Sequence, residues 1–184
     1  MDGLKLNLGC GSDYRDGFVN VDCCRNVKTD VCVDLCKLPF ETNTVAYIMM
    51  RHSLEHIARD KICFLFDSIY RICKPNAVVE IWVPHYTAIS AFALCHQTQW
   101  TIQSLEVFDG NHKDEVGSVF ICQVDKKELH FWKVGTRSWI DKLGLRYLNC
   151  TWFWNGFGEW WQRAWERFNV FGFDEIYYKL MVTQ

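Results

Sequence analysis

The chain has 184 residues, with 20 basic and 22 acidic side chains and a formal net charge of −2. This length suits one domain spanning residues 1–184, and a hydrophobic content of 49% is enough for a buried core. Because Lys and Arg form no cluster, the composition indicates no stable nucleic-acid binding.

The first half of the chain alternates short apolar runs with polar loops. Five strands are predicted there, at residues 5–8, 18–21, 31–33, 45–50 and 77–83. The fourth run is apolar throughout, which is typical of a parallel strand buried on both faces. A helix is predicted over residues 53–73, with Ser53 as its N-cap and an apolar stripe at Leu65, Ile69 and Ile72. This alternation favours an α/β fold with a parallel sheet.

The second half has weaker periodicity but continues the same mixture of elements. Helices are predicted at residues 101–108, 136–143 and 159–168. Strands are predicted at residues 119–124, 129–134, 146–154 and 176–182. No repeat, linker or low-complexity segment interrupts the chain, which favours one domain.

The ten cysteines do not follow a zinc or disulfide pattern. Cys23 and Cys24 are adjacent, Cys32 and Cys36 are four apart, and no two CxxC motifs pair. The first residues lack the basic segment and apolar core of a signal peptide. No apolar run approaches the roughly 18 residues that a membrane span needs. We therefore expect free thiols, a cytoplasmic location and no membrane span.

A glycine turn and an acid stand out in the stretch KLNLGCGSDYRDGFVNVD, residues 5–22. Gly9 and Gly11 follow the first strand, and Asp22 closes the second. A dinucleotide fingerprint needs a third glycine, where Tyr14 stands, and an acid about 20 residues on. Only the six residues 12–17 separate Gly11 from the second strand, which leaves little room for a pyrophosphate-binding helix. The turn suits a ligand with a ribose and a base but no phosphate, namely S-adenosylmethionine (SAM).

The stretches LNLGCGSD, VNVD, DVCVDLCKLPF, RHSLEHI and RICKPNAVVEIWVPH occur in this order between residues 5 and 85. Together they resemble the successive motifs of small class I SAM-dependent methyltransferases of the type-11 kind. The resemblance implies a Rossmann-like α/β fold. Its sheet would be mostly parallel and seven-stranded, with an antiparallel last strand and helices on both faces. Where such families often carry Lys-Pro-Gly-Gly, this chain has Asn76 and Ala77 after Pro75. Asn tolerates positive φ, so we expect the turn to survive.

The resemblance also implies a set of SAM-binding residues. Asp22 would accept hydrogen bonds from the ribose hydroxyls, and Asp34 would face the exocyclic amine of adenine. Arg51 and His52 would flank the transferable methyl group. The implied set comprises Gly9, Cys10, Gly11, Asp22, Cys23, Asp34, Leu35, Arg51 and His52. Glu55 and His56 of the same LEHI motif are expected to be structural.

Three histidines are candidates for the general base, in the order His85, His96 and His52. In open α/β sheets ligands lie beyond the carboxyl ends of the strands, so the residues at those ends should converge, namely Gly9, Asp22, Asp34, His52 and His85. Histidine suits proton removal from a hydroxyl, because its pKa lies near the working pH. Residues 93–95, Ala-Leu-Cys, stand where relatives of this shape carry Asp-Pro-Thr. That change removes the acid that would assist His96 or hold a metal, so no metal ligands are predicted and a divalent metal has no support.

The acceptor is the least determined part of the prediction. The Trp-rich segment 151–168 would pack over the sheet or at a subunit contact, or form an aromatic wall against sugar rings. Small methyltransferases that resemble this chain often modify glycans, some of them in large DNA viruses. O-methylation of a sugar hydroxyl is therefore the first hypothesis. An RNA or cap methyltransferase, a protein or small-molecule methyltransferase and a non-catalytic SAM-binding subunit remain open, as do a monomer and a homodimer.

Overall fold

The computed structural model describes residues 2–111, 117–130 and 174–184. Its strands and α-helix are β1 Leu4–Leu8, β2 Val19–Asp22, β3 Val31–Cys32, β4 Val45–Arg51, α1 Ile62–Ile72, β5 Cys73–Pro84, β6 Cys122–His130 and β7 Glu175–Val182. Short 3₁₀ turns occupy Leu35–Lys37, Leu54–His56, Arg59–Lys61, Ile89–Phe92 and Glu106–Phe108. In these ranges no helix has the length and apolar character needed to cross a membrane.

All seven strands form one sheet in the order β3-β2-β1-β4-β5-β7-β6. The first five strands pair in parallel, and β7 runs antiparallel to both of its neighbours, β5 and β6. The predicted Rossmann-like α/β fold is confirmed, with a mostly parallel sheet of seven strands and an antiparallel last strand. Within the described ranges α1 is the one α-helix, so the expectation of helices on both faces stays a prediction.

No helix connects β1 to β2, as the short spacing predicted. Residues 9–18 form turns instead, and buried Asn20 on β2 is hydrogen-bonded to these turns. The Asn20 side-chain amide donates to the carbonyl oxygens of Arg15 at 3.0 Å and Phe18 at 3.2 Å, and its oxygen accepts from the Arg15 amide at 2.9 Å. Asn7 on β1, also buried, donates to the same oxygen at 3.0 Å. These bonds replace the backbone pairing that a helix would have supplied.

The apolar stripe of α1 is buried, as its spacing predicted, and covers the sheet. Phe66 of this stripe lies against Phe108 and Phe120, with ring centroids 4.5 and 4.9 Å apart. Phe108 and Phe120, which follow the parallel strands in the chain, thus pack into the same core as α1.

The turn after α1 also matches its prediction, because Asn76 adopts a φ of 64°.

The predicted helix at 53–73 is wrong over residues 53–61. The α-helix begins only at Ile62, after two 3₁₀ turns, and Ser53 makes no cap bond. Instead the Ser53 hydroxyl donates to the carbonyl oxygen of Leu8 at the end of β1, at 3.1 Å. This tertiary bond takes the hydroxyl that a cap would need, so the helix starts later.

The second half also departs from its predicted elements. One strand, β6, replaces the predicted strands at 119–124 and 129–134, although residues 131–134 lie outside the described ranges. The predicted helix at 101–108 is a series of turns that ends in a 3₁₀ turn. The predicted elements at 136–143, 146–154 and 159–168 lie outside the described residues, as does the Trp-rich segment. The strand predicted at 176–182 is confirmed as β7, which begins one residue earlier at Glu175.

A close contact between Gly9 and Ser53 joins the loop after β1 to the loop after β4. Gly9 has a φ of 70°, and a Cβ atom there would lie 2.3 Å from the Ser53 Cβ. Gly11 also has positive φ, at 49°, but no atom lies within 4 Å of the position of its Cβ. Gly9 and Gly11 thus both adopt positive φ, but only Gly9 is packed tightly against another side chain.

We predict that Gly9→Ala lowers the free energy of unfolding by about 3 kcal/mol, because left-handed backbone strain and overpacking add. Gly11→Ala is the matched control and should cost only about 1 kcal/mol, from the backbone strain alone. Denaturant unfolding of the wild type and both variants measures the difference. Equal losses in the two variants would contradict the Gly9 contact.

Candidate functional site

The loops after β1, β2, β4 and β5 meet at the carboxyl edge of the parallel strands, where open α/β sheets bind ligands. Two groups of side chains lie there. One comprises the glycine loop and the carboxylate of Asp22. The other surrounds His52 and opens into a cavity.

Asp22 is bonded to the glycine loop through its carboxylate. Its Oδ2 accepts from the Gly11 amide and its Oδ1 from the Cys24 amide, both at 2.8 Å. The amides of Gly9 and Cys10 donate to the carbonyl oxygen of Val21 at 2.8 and 3.1 Å. Each carboxylate oxygen keeps further lone-pair capacity, so Asp22 can also accept from a ligand's hydroxyls.

The residues predicted to contact adenine lie one strand further out. Asp34 is exposed and caps the 3₁₀ turn that follows it, with Oδ1 accepting from the Cys36 amide at 3.0 Å. An ionised carboxylate can accept several hydrogen bonds, so Asp34 can also accept from a ligand. The Leu35 side chain lies in the core, so only its backbone can contact a base. Cys23 is exposed beside Asp22.

His52 lies between two buried carboxyl groups. It adopts a φ of 51°, its Nε2 lies 2.8 Å from Glu175 Oε1, and its Nδ1 lies 3.5 Å from Glu55 Oε1. Glu175 and then Glu55 raise the pKa of His52 to about 9. The imidazole therefore holds its proton near neutral pH, which argues against His52 as a general base. Arg51, its neighbour, is exposed at the end of β4.

Glu175 is an acid that the sequence analysis missed. It is 4% exposed and contacts His52 as well as His130, whose Nδ1 lies 3.4 Å from Oε2. Burial alone would raise the pKa of Glu175, but the two histidines hold it at about 2. Because β7 is antiparallel, its first residue lies opposite Pro84, at the carboxyl end of β5. The sequence feature that could have indicated this acid is the pair of acidic residues at 174–175, which stands just before an apolar run.

His85, the first candidate for the base, is wholly buried with 0% exposure. Its Nδ1 lies 2.7 Å from the Thr87 hydroxyl and accepts from the Thr87 amide at 3.3 Å. Its backbone amide donates to the carbonyl of Asp174 at 3.1 Å, which joins β5 to the start of β7. Since Nδ1 is already an acceptor within the protein, the geometry favours a structural role over proton removal from a substrate.

An open cavity of about 380 Å³ lies beside His52. Its walls carry carboxyl, imidazole and hydroxyl groups on a surface that is otherwise mainly apolar, and the lining residues are His52, Glu55, His56, Pro84, Ser90, His96 and Asp174. Two buried atoms of these walls, Glu55 Oε2 and His96 Nδ1, have no hydrogen-bond partner among the described residues. Buried polar atoms normally have partners, so these two are suited to contact a bound molecule.

The structure therefore reorders the predicted catalytic residues. His96 and His52 line the cavity, whereas His85 is not among its lining residues. Glu55, expected to be structural inside a helix, lies on the 3₁₀ turn Leu54–His56 and lines the cavity. Asp174 and Ser90 also line the cavity, and no sequence motif predicted a role for either.

Comparison with known proteins agrees with this geometry. Residues 6–81 match a family model described as a methyltransferase domain. No curated protein matches the sequence. The fold is similar to a SAM-dependent methyltransferase from Archaeoglobus fulgidus, with a TM-score of 0.61, 16% identity and coverage of 97% of this chain and 86% of that one.

Two further solved structures share the fold. The phosphoethanolamine N-methyltransferase 2 of Haemonchus contortus, solved with SAM, has a TM-score of 0.55 and 20% identity, and the match covers 99% of this chain and 49% of that one. The YcgJ protein of Bacillus subtilis has a TM-score of 0.57 and 11% identity, with coverage of 100% and 92%. The chain thus has the fold of SAM-dependent methyltransferases, and the match of residues 6–81 to the methyltransferase family model supports a transferase enzyme.

We predict that His52 stabilises the fold most at lower pH. Its pKa is higher in the folded protein than in the unfolded chain, so its contribution is fully present below about pH 6.5 and is lost as the pH rises towards 9. The imidazole is 38% exposed, so solvent screening limits the contribution to about 1 kcal/mol. Unfolding of the wild type and His52→Gln between pH 6 and 9.5 should give a difference that shrinks with pH. A constant difference would contradict the ion pair.

Proposed function

We propose that this chain transfers a methyl group from SAM to a hydroxyl group of a sugar on a glycan. The observation that carries the proposal is the adjacency of two features at one edge of the sheet. A glycine loop bonded to Asp22 suits the donor, and a cavity lined by carboxyl and imidazole groups suits a polyhydroxyl acceptor.

The donor half of the proposal uses the residues at the ends of β1 to β4. Asp22 accepts hydrogen bonds from the ribose hydroxyls, and the carboxylate of Asp34 accepts from the adenine amine. Leu35 contacts the base through its backbone. The absence of a helix between residues 9 and 18 is consistent with a ligand that has no phosphate.

The methyl group would lie near His52, between the loop and the cavity. One imidazolium and two carboxyl groups, Glu55 and Glu175, surround that point. Carboxyl groups beside this point favour the positive sulfonium of SAM.

The acceptor half of the proposal rests on hydrogen-bond chemistry. Sugar hydroxyls are donors, and Glu55 Oε2 is a buried acceptor without a partner in the described chain. In the reaction the acceptor oxygen attacks the methyl carbon, the carbon–sulfur bond breaks, and its electron pair stays on sulfur. The hydroxyl proton leaves to a base. His96 replaces His85 as the preferred base, because it lines the cavity and its Nδ1 has no partner there.

The first prediction concerns the donor. Asp22→Ala should weaken binding of S-adenosylhomocysteine at least tenfold, because hydrogen bonds to a charged acceptor contribute about 1.5–3 kcal/mol. Asp16→Ala, an exposed acid of the same loop, should bind like the wild type. Titration calorimetry measures both, and thermal melting checks that both are folded. No binding by the wild type would sink the proposal, and equal affinities in the two variants would remove Asp22 from the site.

The second prediction concerns the acceptor. Incubation with methyl-labelled SAM and a panel of glycans, capped RNA, small alcohols and small amines should label the glycans. His96→Gln should lower kcat by about 10²–10⁴-fold, whereas Gln99→Ala, an exposed neighbour, should not. Label in RNA or amines alone would refute the sugar acceptor. SAM binding without any labelled product would favour a non-catalytic subunit.

A further inference from the structure

Three metal-ligating side chains meet at the mouth of the cavity. The ligand atoms of His56, Cys95 and His96 all lie within 4.8 Å of one another. The two imidazole rings are nearly perpendicular, at 82°, with centroids 4.7 Å apart. His56 comes from the turn after β4, and the other two come from the segment after the 3₁₀ turn Ile89–Phe92.

The orientation of His56 is set by a backbone carbonyl. Its Nδ1 lies 3.1 Å from the carbonyl oxygen of Cys95. A carbonyl can only accept, so Nδ1 carries the proton and Nε2 carries the lone pair. Metal-binding histidines commonly show this arrangement, in which a carbonyl holds one ring nitrogen and the other faces the ion.

The segment that carries Cys95 and His96 is fixed to the turn that carries His56. The amides of Gln97 and Thr98 donate to the carbonyl oxygen of Glu55 at 2.8 and 3.2 Å. The Gln97 side chain donates to the carbonyl oxygen of His56 at 2.9 Å. These bonds hold the three ligands in place before any ion arrives, which favours binding.

Two atoms near the cluster would gain from a cation. His96 Nδ1 and Glu55 Oε2 are both buried and without a hydrogen-bond partner in the part of the chain that is described. Both residues line the same cavity as His56. A bound cation would satisfy an imidazole lone pair directly and the nearby carboxyl group through its charge.

We propose that His56, Cys95 and His96 bind a divalent transition metal of the zinc class at the mouth of the cavity. Two imidazoles and a thiolate suit zinc or cobalt rather than magnesium, which prefers oxygen ligands. Bond lengths of about 2.0–2.3 Å place tetrahedral ligands roughly 3.5 Å apart, so the side chains close in slightly on binding. Cys95 and His56 are exposed and can make this movement.

Three protein ligands leave a fourth position open to the cavity, as in catalytic rather than structural zinc sites. This step rests on the proposed function. An ion held by these three residues would supply Lewis-acid chemistry there: an acceptor hydroxyl at the open position would have a lowered pKa and would lose its proton to solvent water as its oxygen attacks the methyl group. His96 then acts as a ligand instead of the base, and acceptors with vicinal hydroxyls are favoured because they can chelate the ion.

The test uses the full chain, treated with a chelator and titrated with Co²⁺ and with Zn²⁺. We expect one ion per chain by elemental analysis, and a thiolate-to-cobalt absorption band. Cys95→Ser should abolish that band, and Cys95→Ser and His56→Gln should each weaken binding at least tenfold. Cys32→Ser, an exposed thiol on β3, is the matched control and should bind like the wild type. No bound ion, or equal binding by Cys95→Ser and Cys32→Ser, would overturn the site.

Calorimetry with S-adenosylhomocysteine on the same samples separates this inference from the proposed function. Cys95→Ser should bind the cofactor product as the wild type does, and should lose at least tenfold in methyl transfer. Cofactor binding without metal binding would refute the metal site and leave the methyltransferase proposal standing. Metal binding by wild type that cannot bind the cofactor product would support the ligand set and contradict the proposed function. Unchanged methyl transfer by Cys95→Ser would refute a catalytic ion.

Discussion

The candidate site depends on the close approach of Gly9 to Ser53. β1 and β4 are neighbours in the sheet, and the loops that follow them touch because Gly9 has no Cβ and Ser53 donates to the carbonyl of Leu8. The first loop carries the glycines that are bonded to Val21 and Asp22, and the second carries the turn 52–56, which forms part of the cavity wall. A larger residue at position 9 would move apart the two loops that the proposed function assigns to donor and acceptor. This contact also explains why the helix after β4 starts late, since Ser53 faces β1 instead of capping it.

The antiparallel direction of β7 supplies the second constraint. Its first residue, Glu175, lies at the same edge as the carboxyl ends of the parallel strands. There it contacts His52 and His130, where the carboxyl group raises the pKa of both histidines and they lower the pKa of Glu175. A buried acid and a protonated histidine are costly alone and acceptable together. This cluster leaves His52 unsuited to proton removal, and for that reason the proposed base is the cavity-lining His96.

The predictable parts of this protein are those set by local sequence. Five apolar runs became strands of a parallel sheet, the short spacing between Gly11 and Asp22 excluded a helix, and Asn76 adopted the positive φ of the glycine it replaces. The missed parts depend on distant contacts. β6 is an edge strand that contains Lys126 and Lys127, and it forms by pairing with β7, which lies more than 40 residues further along the chain. The local sequence Val-Pro-His does not indicate that His85 is buried. The contact between His56 and His96 depends on how the loop after β5 packs against the turn after β4.

The most direct measurement of the central claim is a crystal structure of the full chain with S-adenosylhomocysteine. We expect the ribose hydroxyls to lie within hydrogen-bond distance of the Asp22 carboxylate. We also expect the sulfur to point towards the cavity between His52 and Glu55. A product molecule bound elsewhere, or one that leaves the Asp22 carboxylate without contact to the ribose, would contradict the assignment of the donor site.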